Sequence, residues 1–285
     1  MMERISSLKK KKNILNGVKV LVSSFIALII MLPLIITFFA AVKDSAGIAN
    51  TSPLLPPVPE NFTLDNIREV LANRLLPYAV RNTFVIASVS ILFNVIMGAV
   101  TAYILERFEF RFKKLIYMLF FAGMMVPTCI TEISRFKIVQ GLGLYNTLGA
   151  PILIYIASDL MQLYIYRQFI AKLPVSLDES ALLDGCSYFK LFRKIIFPLL
   201  APATATLVII KTVGIINDMY VPYLYMPKSK LKTMTTFLMA YANAESGSWQ
   251  KLAAAVIIIL IPTLLIYILF QRKIMEGMAA GAVKE

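Results

Sequence analysis

Six stretches of this chain are apolar over lengths that match a lipid bilayer, and they constrain the fold more than any other feature. A helix needs about 20 apolar residues to cross about 30 Å of hydrocarbon. The stretches cover residues 18–42, 78–105, 115–133, 150–170, 197–216 and 252–270. Lipid offers no partner to a bare backbone N–H or C=O, so a spanning segment must close its hydrogen bonds internally as a helix. The pattern predicts an all-α integral membrane protein with six transmembrane helices. Charged residues make up only 16% of the chain, against about 25% in ordinary soluble domains, which fits a chain solvated largely by lipid.

The first stretch follows basic residues, as the core of a signal peptide would. It is longer than such a core and runs into VKDSAGIAN rather than a small-residue cleavage site, so it reads as a span. Charge then sets the orientation. With the N-terminus inside, the inner segments hold eighteen Lys and Arg, counting Lys19 with the tail. The outer segments hold ten, counting Arg81 on that side, and Lys211 lies within a span. Positive charge is retained on the cytoplasmic side, so both termini are expected in the cytoplasm.

This gives a cytoplasmic tail (1–17), a first transmembrane helix (18–42) and an extracytoplasmic loop (43–77). A core membrane domain (78–272) follows, with a cytoplasmic loop at 174–198, and then a C-terminal tail (273–285). In the first outer loop, FTLDNIREVLANRLL reads as a short amphipathic helix capped by Thr63, with Ile67, Val70, Leu71 and Leu75 on its apolar side. In the last outer segment, Pro222 and Pro227 are expected to break helices.

The chain carries no catalytic constellation. It has no phosphate-cradling G-x-x-x-x-G-K-[ST] loop, no G-x-S-x-G and no H-E-x-x-H. Histidine is absent, and the two cysteines, Cys129 and Cys186, fall in a span and a loop, so neither a metal site nor a disulfide is expected. The basic residues lie in short runs between apolar blocks, unlike the basic face of a nucleic-acid-binding domain. The glycines of GLGLYNTLG read as an outer turn. Carboxylates in or beside spans are functional candidates, because burying charge in a bilayer is costly. They are Glu132 and Asp218, placed near the outer interface, and Asp159, placed mid-span with Ser158 and Gln162 nearby. Asp159 and Lys211 suit ion coupling in a self-contained transporter, or a wetted path.

The loop between the fourth and fifth spans is more elaborate than a connector needs to be. Pro174 ends the preceding helix, and S-L-D-E from Ser176 reads as a capping box closed by Glu179. Asp178 and Glu179 also suit a helix N-terminus. The helix is only about two turns long, too short to persist alone in water. Gly185 suits a left-handed stop, and Ser187 can cap a second helix running to Pro198. Leu182, Leu183, Tyr188, Phe189, Leu191 and Phe192 are too many apolar groups for a solvated loop. Some must pack on the bundle, and others fit a partner's groove or the bilayer surface.

That loop resembles the EAA loop of ABC-importer permeases, with pattern E-A-A-x3-G-x9-I-x-L-P. Glu179-Ser180-Ala181, Gly185, Ile195 and Pro198 stand at the full spacing, with Ser180 and Phe197 departing from the pattern. The end of the chain is similar to permeases of the maltose-transporter type at Ile261-Pro262, Gln271-Arg272, Gly277 and Gly281-Ala282-Val283-Lys284. The resemblance implies a type I ABC importer permease in a bacterial cell membrane, for a sugar, with no enzymatic activity and no cofactor of its own. It implies as partners a second homologous permease, an extracytoplasmic solute-binding protein, and two cytoplasmic ATPases that bind the ATP. Glu179, Ser180, Ala181, Leu182, Asp184, Gly185, Tyr188 and Phe189 would dock into an ATPase, and the tail at 281–284 would reach toward it. A permease for another solute shares the same loop. Tyr155, Tyr164, Tyr166, Asn217, Tyr220 and Tyr223 offer faces to a sugar, but tyrosines also collect at membrane interfaces, so no substrate residue is assigned.

Overall fold

The computed structural model describes the backbone of residues 2–242 and 248–282, and the side chains of residues 16–242, 248–265 and 268. Its helices are α1 (Met2–Ala41), α2 (Ser45–Asn50), α3 (Asp65–Leu71), α4 (Leu76–Arg107), α5 (Lys113–Met125), α6 (Thr128–Gly141) and α7 (Gly149–Ile156). They continue with α8 (Leu160–Ile170), α9 (Val175–Leu183) and α10 (Tyr188–Leu199), which contains a π-helical turn at Phe192–Ile196. Next come α11 (Ala201–Asn217), α12 (Tyr220–Tyr225), α13 (Met234–Leu238) and α14 (Trp249–Ala282). No strand is present among the described residues. The chain divides into two compact units, Met1–Asn73 with Ala240–Leu260, and Arg74–Met239 with Ile261–Glu285.

In the first unit, α1 carries the apolar stretch Asn16–Ala41, whose most apolar 18 residues are unburied, while Ala41 at its end is buried. The loop beyond it is tied by polar contacts. Buried Lys43 donates to Thr51 Oγ1 (2.9 Å) and to the Ser52 carbonyl (3.2 Å). Asn66 donates to the carbonyls of Ala41 (3.0 Å) and Lys43 (2.9 Å), holding α3 against the end of α1. The expected amphipathic helix is shorter than its apolar pattern. Leu64 rather than Thr63 precedes its first turn, and the Thr63 hydroxyl accepts from the Asp65 N–H instead (3.1 Å). Asn66 and Val70 are its buried positions, while Leu71 is 57% exposed.

The second unit is built around α4. Its buried positions recur every three or four residues, from Ala79 through Thr83, Ile86, Ser90, Asn94, Gly98 and Ala102. Most are small, which lets neighbouring backbones approach closely in a membrane. Gly98 marks the closest approach, because a Cβ there would collide with the Gln162 carboxamide of α8.

Two helices, Asn16–Ala41 and Leu76–Arg107, are long and apolar enough to cross a membrane unbroken among the described residues. The third, fourth and fifth stretches are not the continuous helices the hydropathy pattern predicts. The third bends by 107° between α5 and α6, where Pro127 withholds an N–H and keeps Val126 extended. The fifth bends by 74° between α10 and α11, with Pro198 and Pro202 on either side. The fourth breaks at 157–159, so Asp159 is not mid-helix. It begins α8, accepting the Gln162 N–H at 2.8 Å.

A break in lipid frees backbone groups that must find partners. The Asn94 amide of α4 supplies them here, donating to the carbonyls of Ala157 (2.8 Å), Tyr155 (3.2 Å) and Ile156 (3.3 Å). Gln162 returns a bond to the Asn94 carbonyl (2.9 Å).

Pro222 does not break α12. It lies in the helix's first turn, where its missing N–H costs nothing. Glu132 is also not water-exposed. It is buried, paired with Arg135, and accepts the Tyr225 hydroxyl at 2.6 Å. Burial first, then Glu132, pushes the Tyr225 phenol up to about 12, so it stays protonated and donates.

Gly98→Val drives a branched side chain into the buried Gln162. Overpacking of this kind costs about 1–3 kcal/mol, so the purified variant is expected to melt below wild type. Gly214→Val, at a position with open space, is expected to melt as wild type does.

Candidate functional site

The loop between α8 and α10 folds as two short helices around a tight stop. The first, α9, starts at Val175 behind Pro174, two residues earlier than the capping box implies. Ser176 therefore caps nothing. Pro174 occupies the cap position, and its carbonyl accepts the Leu177 N–H at 3.2 Å. Gly185 adopts φ +77°, the left-handed conformation that suits glycine. The N–H groups of Gly185 and Cys186 return to the carbonyls of Leu182 and Ala181, both at 3.0 Å. Ser187 then caps α10, accepting the Lys190 N–H at 3.3 Å.

Asp178 is the residue whose role the sequence pattern conceals. Its carboxylate does not face the helix N-terminus in solvent. It is buried and pairs with Arg107, the last residue of α4, at 2.8 Å. Tyr103, one turn earlier on α4, donates to it at 3.3 Å. Arg107 also donates to the Leu173 carbonyl at 2.8 Å, so one guanidinium grips both the approach to α9 and its first turn. Both charged side chains are about 10% exposed. Nearby, the Phe108 ring lies between Tyr103 (5.9 Å) and Tyr188 (5.2 Å), and Phe192 stacks against Tyr103 at 5.5 Å. The loop is thereby fixed to the end of the longest buried helix.

This anchoring sorts the named residues into two sets. Ala181 and Leu182 pack into the core with Leu191, Ile196, Tyr166 and Ile170. Glu179, Ser180, Asp184 and Gly185 are exposed, as are Tyr188 (53%) and Phe189 (73%). Leu183 is 89% exposed, the most open large apolar side chain among the described residues. It belongs with the exposed set, and its neighbours in sequence gave no sign that it alone points outward. Arg107 reads in the sequence only as one more inner positive charge. Its position at the end of a long span, ahead of an acid in the loop, was the available signal. Of the tail, Gly281 and Ala282 end α14, while Val283 and Lys284 lie outside the described residues.

Of the tyrosines offered to a sugar, Tyr166 is fully buried against Thr204, and Tyr155 donates to Asp218 at 2.7 Å. Tyr164, Tyr220 and Tyr223 are exposed. Lys211 and Asp159 do form an ion pair.

Residues 90–278 match the family of binding-protein-dependent transport system inner membrane components. The probable starch degradation products transport system permease protein AmyC of Thermoanaerobacterium thermosulfurigenes is 32% identical over 235 residues, covering 80% of this chain and 83% of that one. The multiple sugar-binding transport system permease protein MsmG of Streptococcus mutans is 32% identical over 281 residues, covering 97% and 100%. The fold is similar to a chain of a bacterial ABC transporter involved in the import of the acidic polysaccharide alginate. The TM-score is 0.78 at 20% identity, covering 91% of this chain and 96% of that one.

The clamp gives a direct test of the loop's anchoring. Arg107→Ala leaves Asp178 buried without its cation, a change that costs about 3–5 kcal/mol. The purified variant is expected to melt lower and to be cut by protease between residues 173 and 190. Arg107→Leu combined with Asp178→Leu is expected to recover most of the loss.

The chain belongs to the family of binding-protein-dependent transport system inner membrane components, ABC transporter permease subunits that are not enzymes and carry no cofactor, and its relatives AmyC and MsmG are sugar permeases.

Proposed function

We propose that this chain is one of two permease subunits of a sugar or oligosaccharide importer, and that the α9–α10 turn seats in a groove of a cytoplasmic ATPase. A second permease and two ATPases, which bind the ATP, complete the membrane assembly, and an extracytoplasmic binding protein delivers the cargo. Both termini lie on the cytoplasmic side. The sugar class rests on the systems to which AmyC and MsmG belong.

One observation carries the docking reading. Leu183, Tyr188 and Phe189 stand in the open on a loop whose Leu177, Ala181, Leu182, Leu191 and Phe192 are packed and which is clamped to α4. An exposed apolar rim on a rigid support suits a protein groove better than water. When ATP closes the ATPases, the seated turn moves with them. Arg107 passes the displacement to α4, and the packed core passes it to α8 and α11. Packed helices of this kind switch between discrete arrangements, and the ATPases bias which one is populated. The chain itself hydrolyses nothing. Its membership in this family replaces the ion-coupled transporter that Asp159 and Lys211 suggest from sequence.

Gly185→Val tests the seating. A branched side chain at φ +77° strains the stop, so the variant is expected to insert normally yet recover less ATPase when purified from its membranes. Equal recovery would remove the glycine stop from the docking element. Deleting residues 281–285 is expected to lower uptake more than assembly, because the tail reaches toward the ATPases. Uptake is read with the complete importer and its binding protein in proteoliposomes. The probes are maltose, melibiose, raffinose, trehalose and diacetylchitobiose.

A further inference from the structure

The break between α7 and α8 holds a polar cluster that neither the fold nor the docking turn requires. Asp159 precedes Pro174 by 15 residues, and Lys211 follows Pro198 by 13. Counted only along the straight helices, from Ile170 on α8 and from Ala201 on α11, both stand about 15 Å from the loop ends at 1.5 Å per residue, well inside hydrocarbon about 30 Å thick. The two side chains form an ion pair, with Asp159 52% exposed and Lys211 20% exposed. A carboxylate that open, at that depth, is too costly to face acyl chains, so it faces a polar path.

The chemistry of the pair is specific. One Asp159 oxygen accepts the Gln162 N–H and the other accepts Lys211. Each oxygen keeps a lone pair, and the ammonium keeps two further N–H donors. The pair therefore offers acceptor and donor side by side with no net charge. Beside it, Ser158 contributes a buried hydroxyl that has no protein partner. Ser158 and Asp159 line a cavity of about 580 Å³ together with Phe120, Gly123, Met124 and Met161.

 A space of that size falls in the range of small-molecule sites. On the exposed side of α8, Met161 and Tyr164 continue the surface toward the cytoplasm.

We propose that the Asp159–Lys211 pair is a contact point for the hydroxyls of an uncharged sugar, contributed by this subunit to the translocation path. A sugar hydroxyl both donates and accepts, which is what the pair offers. An ionic substrate would instead compete for one member and leave the other unpaired in the membrane. The assignment rests on the sugar reading above and narrows it to neutral, hydroxyl-rich cargo.

The test uses the complete importer in proteoliposomes. Whichever panel sugar wild type transports is compared with its monodeoxy derivatives, with rates normalised to the complex recovered. Wild type is expected to lose about tenfold or more in transport efficiency for at least one deoxy position, the worth of a hydrogen bond to a charged group. Asp159→Asn is expected to raise KM and to flatten that discrimination. Lys211→Arg keeps the charge and moves the donors, so it is expected to change which deoxy position matters. It also keeps the test open if Asp159→Asn fails to assemble.

A deoxy profile identical to wild type in the variants that assemble would overturn the assignment, leaving a structural ion pair or one that meets the second permease. Wild type that assembles but takes up none of the five sugars would overturn the sugar reading itself, and this inference with it. That failure is visible before any variant is made.

Discussion

The ion pair between Arg107 and Asp178 is the interaction on which the rest of the account depends. A helix of nine residues such as α9 has too few internal hydrogen bonds to hold its shape in water. It keeps its shape because a buried guanidinium grips its first turn and the carbonyl ahead of it, while Ala181 and Leu182 pack into the core. A buried pair of this kind adds little net stability against an apolar replacement. What it supplies is position: the loop cannot tilt or slide without moving the end of α4. A loop that docks must also transmit, and the clamp allows both.

A second constraint comes from the solvent. Lipid tolerates no unpaired backbone, yet three of the apolar stretches are bent or broken. The fourth is repaired by Asn94 on α4, whose amide covers three carbonyls freed at the break. Gln162 closes the arrangement from the other side, and Gly98 makes room for it. The same helix therefore anchors the loop between α8 and α10 at one end and the broken span along its middle. That places the proposed docking turn and the proposed sugar contact on elements packed against one rigid helix.

Much of this was legible in the sequence. The apolar stretches gave the helical membrane class, and spacing gave Gly185 and Ser187 their places at the stop and the second cap. Sequence reading failed where a contact joins residues far apart. Arg107 and Asp178 lie 71 positions from each other, and each has an adequate local explanation, as an inner positive charge and as an acid at a helix start. The breaks were hidden for a related reason. Hydropathy measures solvent preference and is blind to a polar residue on another helix that satisfies a gap, as Asn94 does. Leu183 could not be told from Leu182 as the outward-facing residue, because the two are identical in type and only packing separates them.

The most direct test of the central claim places a photoreactive residue at position 183 in the full importer in its own membranes. A second sample carries it at position 54, in the segment between α2 and α3, proposed to lie on the opposite side of the membrane. Illumination at position 183 is expected to join this chain to a cytoplasmic ATPase, identified by mass spectrometry, and position 54 is expected to give no such adduct. An importer that co-purifies with its ATPase yet gives no ATPase adduct from position 183 would contradict the account. The exposed rim of the α9–α10 turn would then not be the seat of coupling.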